Sequence, residues 1–410
     1  MHSNQHIIIA GAGFGGIRTA MQLARSTPYK ITVIADRPTF RYYPALYATA
    51  TGHSYNESII PLDEIFAEYP SITVVYDKLK SVNVAKKRLK AESGASYAYD
   101  YLVLALGVVT NYFGIKGLDK YSYGIKGESE VADLKEHIHH QIVNQKQLDE
   151  TYVVIGGGPT GVELSASLGI YVKHIAQCHG LKHKKPKVML VEAAPRLVPR
   201  MSEKASQLVE DRLKSLGVKV MTGAKVEAET AQTVTISGEK VKSDSVIWTS
   251  GVTNNPFFKE NINEFTLAPN GKVQVDAFMQ AAASVYVIGD NAATPYSGLA
   301  QTALYDGDFV ARNLKRQLKQ IPPKAYKARK PPVVIPVGDN WSIFEYGPLV
   351  FGGTPGSVLR RAADLIGYTD ILPFSKAWRL WSASSSIEEN CDVCRAPLHQ
   401  KYARRLKSAL

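Results

Sequence analysis

Residues Ile7–Ala24 read IIIAGAGFGGIRTAMQLA, and the fold follows from how this stretch divides. Its opening, Ile7 to Ala10, is a short β-branched apolar run, which predicts a buried strand of a parallel sheet. Gly11, Gly13 and Gly16 then make a G-x-G-x-x-G turn, and Ile17 to Ala24 predicts a helix. Each glycine has a task in such a turn. Gly11 permits the tight reversal, Gly13 lets a pyrophosphate approach the backbone, and Gly16 lets the helix lie close to the strand. The helix N-terminus then turns its N–H groups toward the anion. The next apolar run, KITVIAD, ends in Asp36, twenty residues after Gly16, where a carboxylate can accept hydrogen bonds from ribose hydroxyls. Strand, turn, helix and acid in register predict a dinucleotide-binding βαβ unit.

The plan is used twice. VVIGGGPTGVELSASL, Val153 to Leu168, repeats the turn with Gly156, Gly158 and Gly161, followed by a helix that carries Pro159, Thr160 and Glu163. The acid closing the next strand is Glu192, 31 residues after Gly161, because KHIAQCHGLKHKKPK lengthens the helix and adds a basic loop. An acid at this place favours the free ribose hydroxyls of NADH over the 2′-phosphate of NADPH, and the nearby Arg196 argues the other way. Further β-branched runs (ITVVYD, YLVLALG, KVMLVEA, SVIWTSG, SVYVIGD) continue the βαβ rhythm. The predicted fold is α/β: two Rossmann-like dinucleotide-binding domains and a C-terminal α/β segment with an amphipathic helical tail. The proline- and lysine-rich QIPPKAYKARKPP marks the last linker. Expected boundaries are 1–113 and 265–322 for the first domain, 114–264 for the second, and 323–410 for the C-terminal segment.

Composition limits the alternatives. With 410 residues, 45% hydrophobic and 21% charged, the chain can bury two or three cores. A net charge of +12 suits an anionic surface without choosing between nucleic acid and lipid. Cys178, Cys391 and Cys394 are too few for a disulfide framework, so a reducing compartment is expected. The N-terminus runs straight into a strand without the apolar core of a signal peptide, and secretion is not expected. The longest apolar runs are about half of the ~20 residues a bilayer span requires.

Two later signals bear on the first cradle. Gly107 follows YLVLAL, and Gly289 with Asp290 follows SVYVI. Here the chain resembles flavoproteins with two dinucleotide-binding domains, in which a late Gly-Asp holds the ribityl chain. That resemblance implies FAD in the first domain and NADH in the second, hydride passing between them. On the FAD side it points to Gly11, Gly13, Phe14, Gly15, Gly16, Asp36 and Arg37, and to Leu79, Ala105, Gly107, Gly289, Asp290, Ala300 and Gln301. For NADH it points to Gly156, Gly158, Pro159, Thr160, Gly161, Glu163, Glu192 and Gly251.

PTFRYYPALYATATG, NYFGIKG, GGGPTGVEL, VEAAPRLVP and VIWTSGV occur in the order in which similar segments occur in type II NADH:quinone oxidoreductases. The likeness runs over about residues 5–315 and rests on the ordered set. It implies a respiratory-chain enzyme that passes two electrons from NADH through FAD to a membrane quinone without pumping ions. The enzyme would be a homodimer, peripheral on the cytoplasmic face of the cell membrane, with no nucleic-acid partner. Glu163, Gln301 and Tyr305 are its candidate catalytic residues. The family's AQxxxQ signature is met by Ala300 and Gln301 in GLAQTALYDG, while Tyr305 stands where the second glutamine would be. No C-x-x-C lies in either nucleotide domain, which argues against disulfide or sulfide chemistry at the flavin. A soluble ferredoxin- or rubredoxin-type reductase and a low-turnover flavoprotein like the apoptosis-inducing ones are the alternatives.

SVLRRAADLIGYTDILPFSKAWRLW sets Arg360, Arg361, Lys376 and Arg379 among apolar residues with Trp378 and Trp381, a composition suited to a headgroup layer. A helix packed on the flavin domain or on a second subunit is the competing assignment. Cys391, Cys394 and His399 have partial metal spacing without an evident fourth ligand, so no metal is expected. His137, His139 and His140 are expected on a solvated helical face.

Overall fold

The computed structural model describes residues 5–25, 28–146, 150–181, 186–383, 391 and 393–394. Strand His6–Ala10 lies at the centre of a six-stranded sheet, hydrogen-bonded in parallel to Lys30–Ala35 on one side and Tyr101–Leu104 on the other. Ile72–Tyr76 extends one edge in parallel, and the antiparallel pair Val285–Val287 and Gln280–Ala282 closes the other. A central strand is covered on both faces. Ile7, Ile8 and Ile9 are accordingly 0% exposed, each such side chain contributing about 1.5–3 kcal/mol by burial. Helices Phe14–Ala24 and Ala300–Leu318 pack side by side on this sheet.

The second sheet is wholly parallel, in the order Lys219–Thr222, Lys187–Glu192, Thr151–Ile155, Ser245–Trp248. Helix Pro159–Cys178 follows its central strand. The chain crosses between the two units twice, and the crossings pair as an antiparallel ribbon, Val108–Thr110 against Val252–Asn254. Phe257, Phe258 and Phe265 already belong to the core of the first sheet. The chain therefore returns at Phe257, several residues before the expected boundary at 265, because an Asn-capped helix Pro256–Glu260 delivers both rings into that core.

After the linker a three-stranded antiparallel sheet, Val333–Pro336, Ser342–Tyr346 and Leu349–Phe351, leads into helices Thr354–Thr369 and Phe374–Ala383. Ile335, Val337 and Ile343 pack into the second core, whereas Tyr368, Ile371, Leu372 and Ala377 pack into the first. The C-terminal segment thus straddles both nucleotide units. Arg18 on the first helix reinforces the strap, with Nε 2.8 Å from Asp308 and Nη1 3.2 Å from Asp370. No described helix is long and apolar enough to cross a membrane.

Candidate functional site

The first cradle is built as the glycine pattern requires. Gly11 has φ +101°, and a Cβ there would sit 2.2 Å from the Ala105 carbonyl oxygen; one at Gly16 would sit 1.9 Å from the Gly11 oxygen. At Gly13, by contrast, no protein atom lies within 4 Å of an added Cβ. The two packed glycines shape the turn, and the open one leaves room for a ligand's diphosphate at the helix N-terminus. Phe14 is buried edge-on to Phe40 and Tyr42, and Gly15 lies against Ile288. Asp36 ends its strand exposed and ion-paired with Arg37, while Leu79 is buried.

The turns of the other strands meet the same place. Asn291, fully buried, accepts from the Gly107 N–H at 2.9 Å and donates to the Gly107 carbonyl at 2.6 Å. Asp306 accepts from the Gly289 N–H at 3.0 Å and from the Tyr326 hydroxyl at 2.7 Å. Burial pushes Asp306 up to about 6. Burial also raises Asp290, against the opposing pull of Lys272. Asn291 and Asp306 were missed in the sequence although each adjoins a chosen motif, because polar residues that brace a loop carry no spacing signal of their own. These donors and acceptors fit the diphosphate and polyol chain of FAD.

The second cradle repeats the geometry. Gly156 has φ +115° and abuts Ser250, Gly161 abuts the Gly156 oxygen, and Gly158 faces open space. Pro159 opens the helix, and Pro159 and Thr160 are exposed at its start. Glu192 turns its carboxylate onto the turn, accepting from the N–H groups of Gly157 at 2.5 Å and Ala194 at 2.6 Å. Each oxygen retains a lone pair for a ribose hydroxyl. Arg196 is occupied in its own loop, donating to Met201 O at 2.8 Å, Ser206 Oγ at 2.6 Å and Pro199 O at 2.7 Å. It is spent on two backbone carbonyls and the Ser206 hydroxyl rather than offered to a phosphate. Gly251 (φ +65°) is packed into the ribbon beneath Asn111 and Phe113.

Glu163, on the helix of this second cradle, reaches a partner 197 residues away: Arg360 Nη1 donates to its Oε1 at 3.2 Å. Arg360 also holds Asp364 through Nε at 3.0 and 2.9 Å and donates to Pro44 O at 2.7 Å. One guanidinium is shared by two carboxylates, the buried Glu163 and the half-buried Asp364. Asp364 takes the closer two-oxygen contact, so the surplus negative charge falls on Glu163, and burial pushes its carboxyl up to about 8. The expectation that Arg360 faces lipid headgroups is corrected. It points inward, with Nη2 on Pro44 O of helix Tyr43–Ala50 and Nη1 on the buried Glu163, while Asp364 one turn along its own helix steadies the guanidinium. Lys376 is likewise turned to Glu64, with Nζ 3.8 Å from Oε2.

Gln301 is exposed in the first turn of helix Ala300–Leu318, with Ala300 half-buried beside it. Tyr305 lies one turn on and is tied to the linker: its hydroxyl donates to Lys327 O at 3.2 Å and Arg329 covers its ring at 4.7 Å. The histidines do not share a solvated face. Residues two apart point to opposite sides of a helix; His137 stacks on Tyr123 and bonds Ser245 Oγ at 2.9 Å, while His139 meets His179 edge-on at 5.4 Å. Nor do Cys391 and Cys394 stand without further ligands: both sulfurs lie 3.4 Å from His179 Nε2, beside His139. His399 lies outside the described residues.

The profile of pyridine nucleotide-disulphide oxidoreductases matches residues 5–307. Among curated relatives, the type II NADH:quinone oxidoreductase of Mycobacterium tuberculosis is 27% identical over 76% of this chain and 72% of its own. That of Staphylococcus aureus is 26% identical over 76% and 82%. Among solved structures, NDH2 from Plasmodium falciparum in complex with NADH superposes with a TM-score of 0.82 at 17% identity, covering 93% of this chain and 98% of that one. The sulfide:quinone oxidoreductase of Aquifex aeolicus gives 0.76 at 18% identity, covering 98% and 95%. Two glycine cradles on two parallel sheets and a profile that spans both place the chain in the pyridine nucleotide-disulphide oxidoreductase family.

Proposed function

We propose that the protein is an NADH:quinone oxidoreductase of the type II kind, with FAD in the first cradle and NADH entering against the second. The observation that carries this reading is the pair of open glycine turns, at Gly13 and Gly158, in one chain whose cysteines all lie from residue 178 onward. Bound FAD supplies the two-electron relay between a hydride donor and an acceptor. The protein's part is to align the rings, exclude water and handle protons. Disulfide and sulfide acceptors are disfavoured, since Cys178, Cys391 and Cys394 all pack on the second core. Oxidation of NADH by a short-chain quinone, measured anaerobically with flavin-loaded protein, is expected to be fast; a rate no greater than that of free FAD would sink the reading.

In this scheme Glu163 holds the proton. Its Oε1 accepts from Arg360, which lines a cavity together with Tyr47, His53, Ser357 and Asp364, and burial pushes the carboxyl up to about 8, which suits it to hold a proton beside that cavity. Turnover should then decline as pH rises through about 8. Glu163→Gln is expected to lower kcat by about 10²–10⁴-fold with flavin content unchanged, and to remove that alkaline limb. The sign for stability is opposite. A carboxyl raised from about 4.3 in the unfolded chain to about 8 in the folded one costs stability as pH climbs through that interval, where only the unfolded chain ionises, so the variant should melt increasingly higher than the parent from about pH 5 to 8 and by a steady margin above. A profile that keeps its limb in the variant would remove Glu163 from the proton path.

The C-terminal helices supply the surface toward the bilayer. Val358, Ile366, Phe374 and Trp378 are between 48% and 65% exposed, with Arg361 and Arg379 at the same surface. Apolar rings flanked by arginines suit the interface of an anionic leaflet, here proposed as the cytoplasmic face. Phe374→Ser with Trp378→Ser is expected to reduce sedimentation with anionic vesicles by about tenfold or more, each buried ring contributing about 1.5–3 kcal/mol. Soluble-quinone activity should persist. Undiminished vesicle binding, or a dimer that falls apart in the variant, would give this face to another partner.

A further inference from the structure

Three separate segments converge beyond the nucleotide cradles. Helix Glu128–His139 ends in His139, helix Pro159–Cys178 is capped by His179, and the tail brings Cys391 and Cys394 onto both. The four ligand atoms all lie within 4.8 Å of one another. Both sulfurs sit 3.4 Å from the same atom, His179 Nε2. Hydrogen bonding does not account for that arrangement. A neutral imidazole nitrogen offers either one lone pair or one proton, so it can satisfy one thiol and not two. His139 Nε2 is buried and has no hydrogen-bond partner among the described residues, a cost of about 1–3 kcal/mol for a group left so.

We infer that His139, His179, Cys391 and Cys394 form a structural zinc site that clips the C-terminal tail to the second nucleotide domain. Each oddity is resolved by one cation. With Zn–S near 2.3 Å and Zn–N near 2.0–2.1 Å, tetrahedral geometry sets neighbouring S and N atoms about 3.5 Å apart, close to the observed 3.4 Å. The buried His139 nitrogen gains its partner, and Cys-x-x-Cys supplies half of the ligand set in the usual local spacing. Two thiolates and two imidazoles suit zinc and not the oxygen-seeking magnesium or calcium. Four protein ligands close the coordination sphere, which makes the site structural and leaves no position for substrate. Cys178 is a neighbour and not a ligand; its sulfur lies 3.7 Å from the Cys394 carbonyl oxygen. The clip joins residues more than 200 apart in sequence, His179 to Cys391 and Cys394. It therefore anchors the chain just past the apolar helix Phe374–Ala383.

The test uses full-length, flavin-loaded protein without a histidine tag, purified from zinc-supplemented medium. Elemental analysis should give about one zinc per chain, falling at least fivefold in His139→Ala and in Cys391→Ser with the FAD-to-chain ratio unchanged. Because Cys394 is fully buried, its replacement risks misfolding, and cobalt exchange in the parent protein reads the site without any substitution. One equivalent of Co²⁺ should produce the thiolate-to-cobalt charge-transfer and ligand-field bands of a tetrahedral S₂N₂ centre. The inference is overturned by flavin-loaded parent protein that binds neither zinc nor cobalt, by iron in place of zinc, or by a Cys391–Cys394 disulfide in freshly purified protein. Loss of FAD would instead count against the proposed function, so the two readings fail separately.

Discussion

Protein carrying Gly16→Val is expected to purify without flavin and to oxidise NADH at less than about one hundredth of the parent rate, equivalent to some 2.7 kcal/mol. Even one carbon at this position would lie 1.9 Å from the Gly11 oxygen, and that atom belongs to backbone that cannot swing aside. The helix would have to back away from strand His6–Ala10, moving its N–H groups off the diphosphate. Gly13→Ala separates fold from ligand. No atom beyond the neighbouring residues lies within 4 Å of that methyl group, so the flavin-free chain should fold and melt as before while holding FAD more weakly. Flavin absorbance per chain and thermal melting, measured on both variants, test the pair. A yellow, fully active Gly16→Val protein would refute the assignment of this turn.

The second large effect concerns Arg360. Replacing it with methionine leaves the buried Glu163 and the half-buried Asp364 without their shared cation, a loss expected toward the lower end of about 3–5 kcal/mol. Two acids stranded in this way take up protons more readily than in the unfolded chain, so the deficit should be worst at alkaline pH and shrink toward pH 4–5. The triple change Arg360→Met, Glu163→Gln, Asp364→Asn should recover much of the stability, because no buried charge then remains. Denaturant unfolding of the three proteins between pH 5 and 9 provides the measurement. Equal stability of the single variant and the parent at pH 8 would show that the pair is solvated after all.

What could be read from the chain alone was local. Gly11, Gly13, Gly16 and Asp36 lie within one βαβ unit, where covalent spacing fixes geometry, and the same holds for Gly156 to Glu192. The contacts that complete the site are long-range. Glu163 and Arg360 are 197 residues apart, and a basic residue between apolar neighbours reads as interfacial until its buried partner is known. The histidine–cysteine cluster draws on three segments. Only the half-pattern of Cys391 and Cys394 was visible, together with the two-residue spacing of His137 and His139, which already forbade a common face. Tyr305 was placed by a family signature, and the turn it occupies is committed to the Lys327–Arg329 linker.

The strap formed by residues 333–377 has a mechanical corollary. Ile335, Val337 and Ile343 are rooted on one side, and Tyr368, Ile371 and Leu372 on the other, with Tyr368 stacked 4.5 Å from Tyr42. A pivoting motion that parted the two halves of the molecule would have to uproot both sets of anchors at once. The separation of the two glycine cradles is thereby a dimension of the scaffold, set by a brace rooted in both cores.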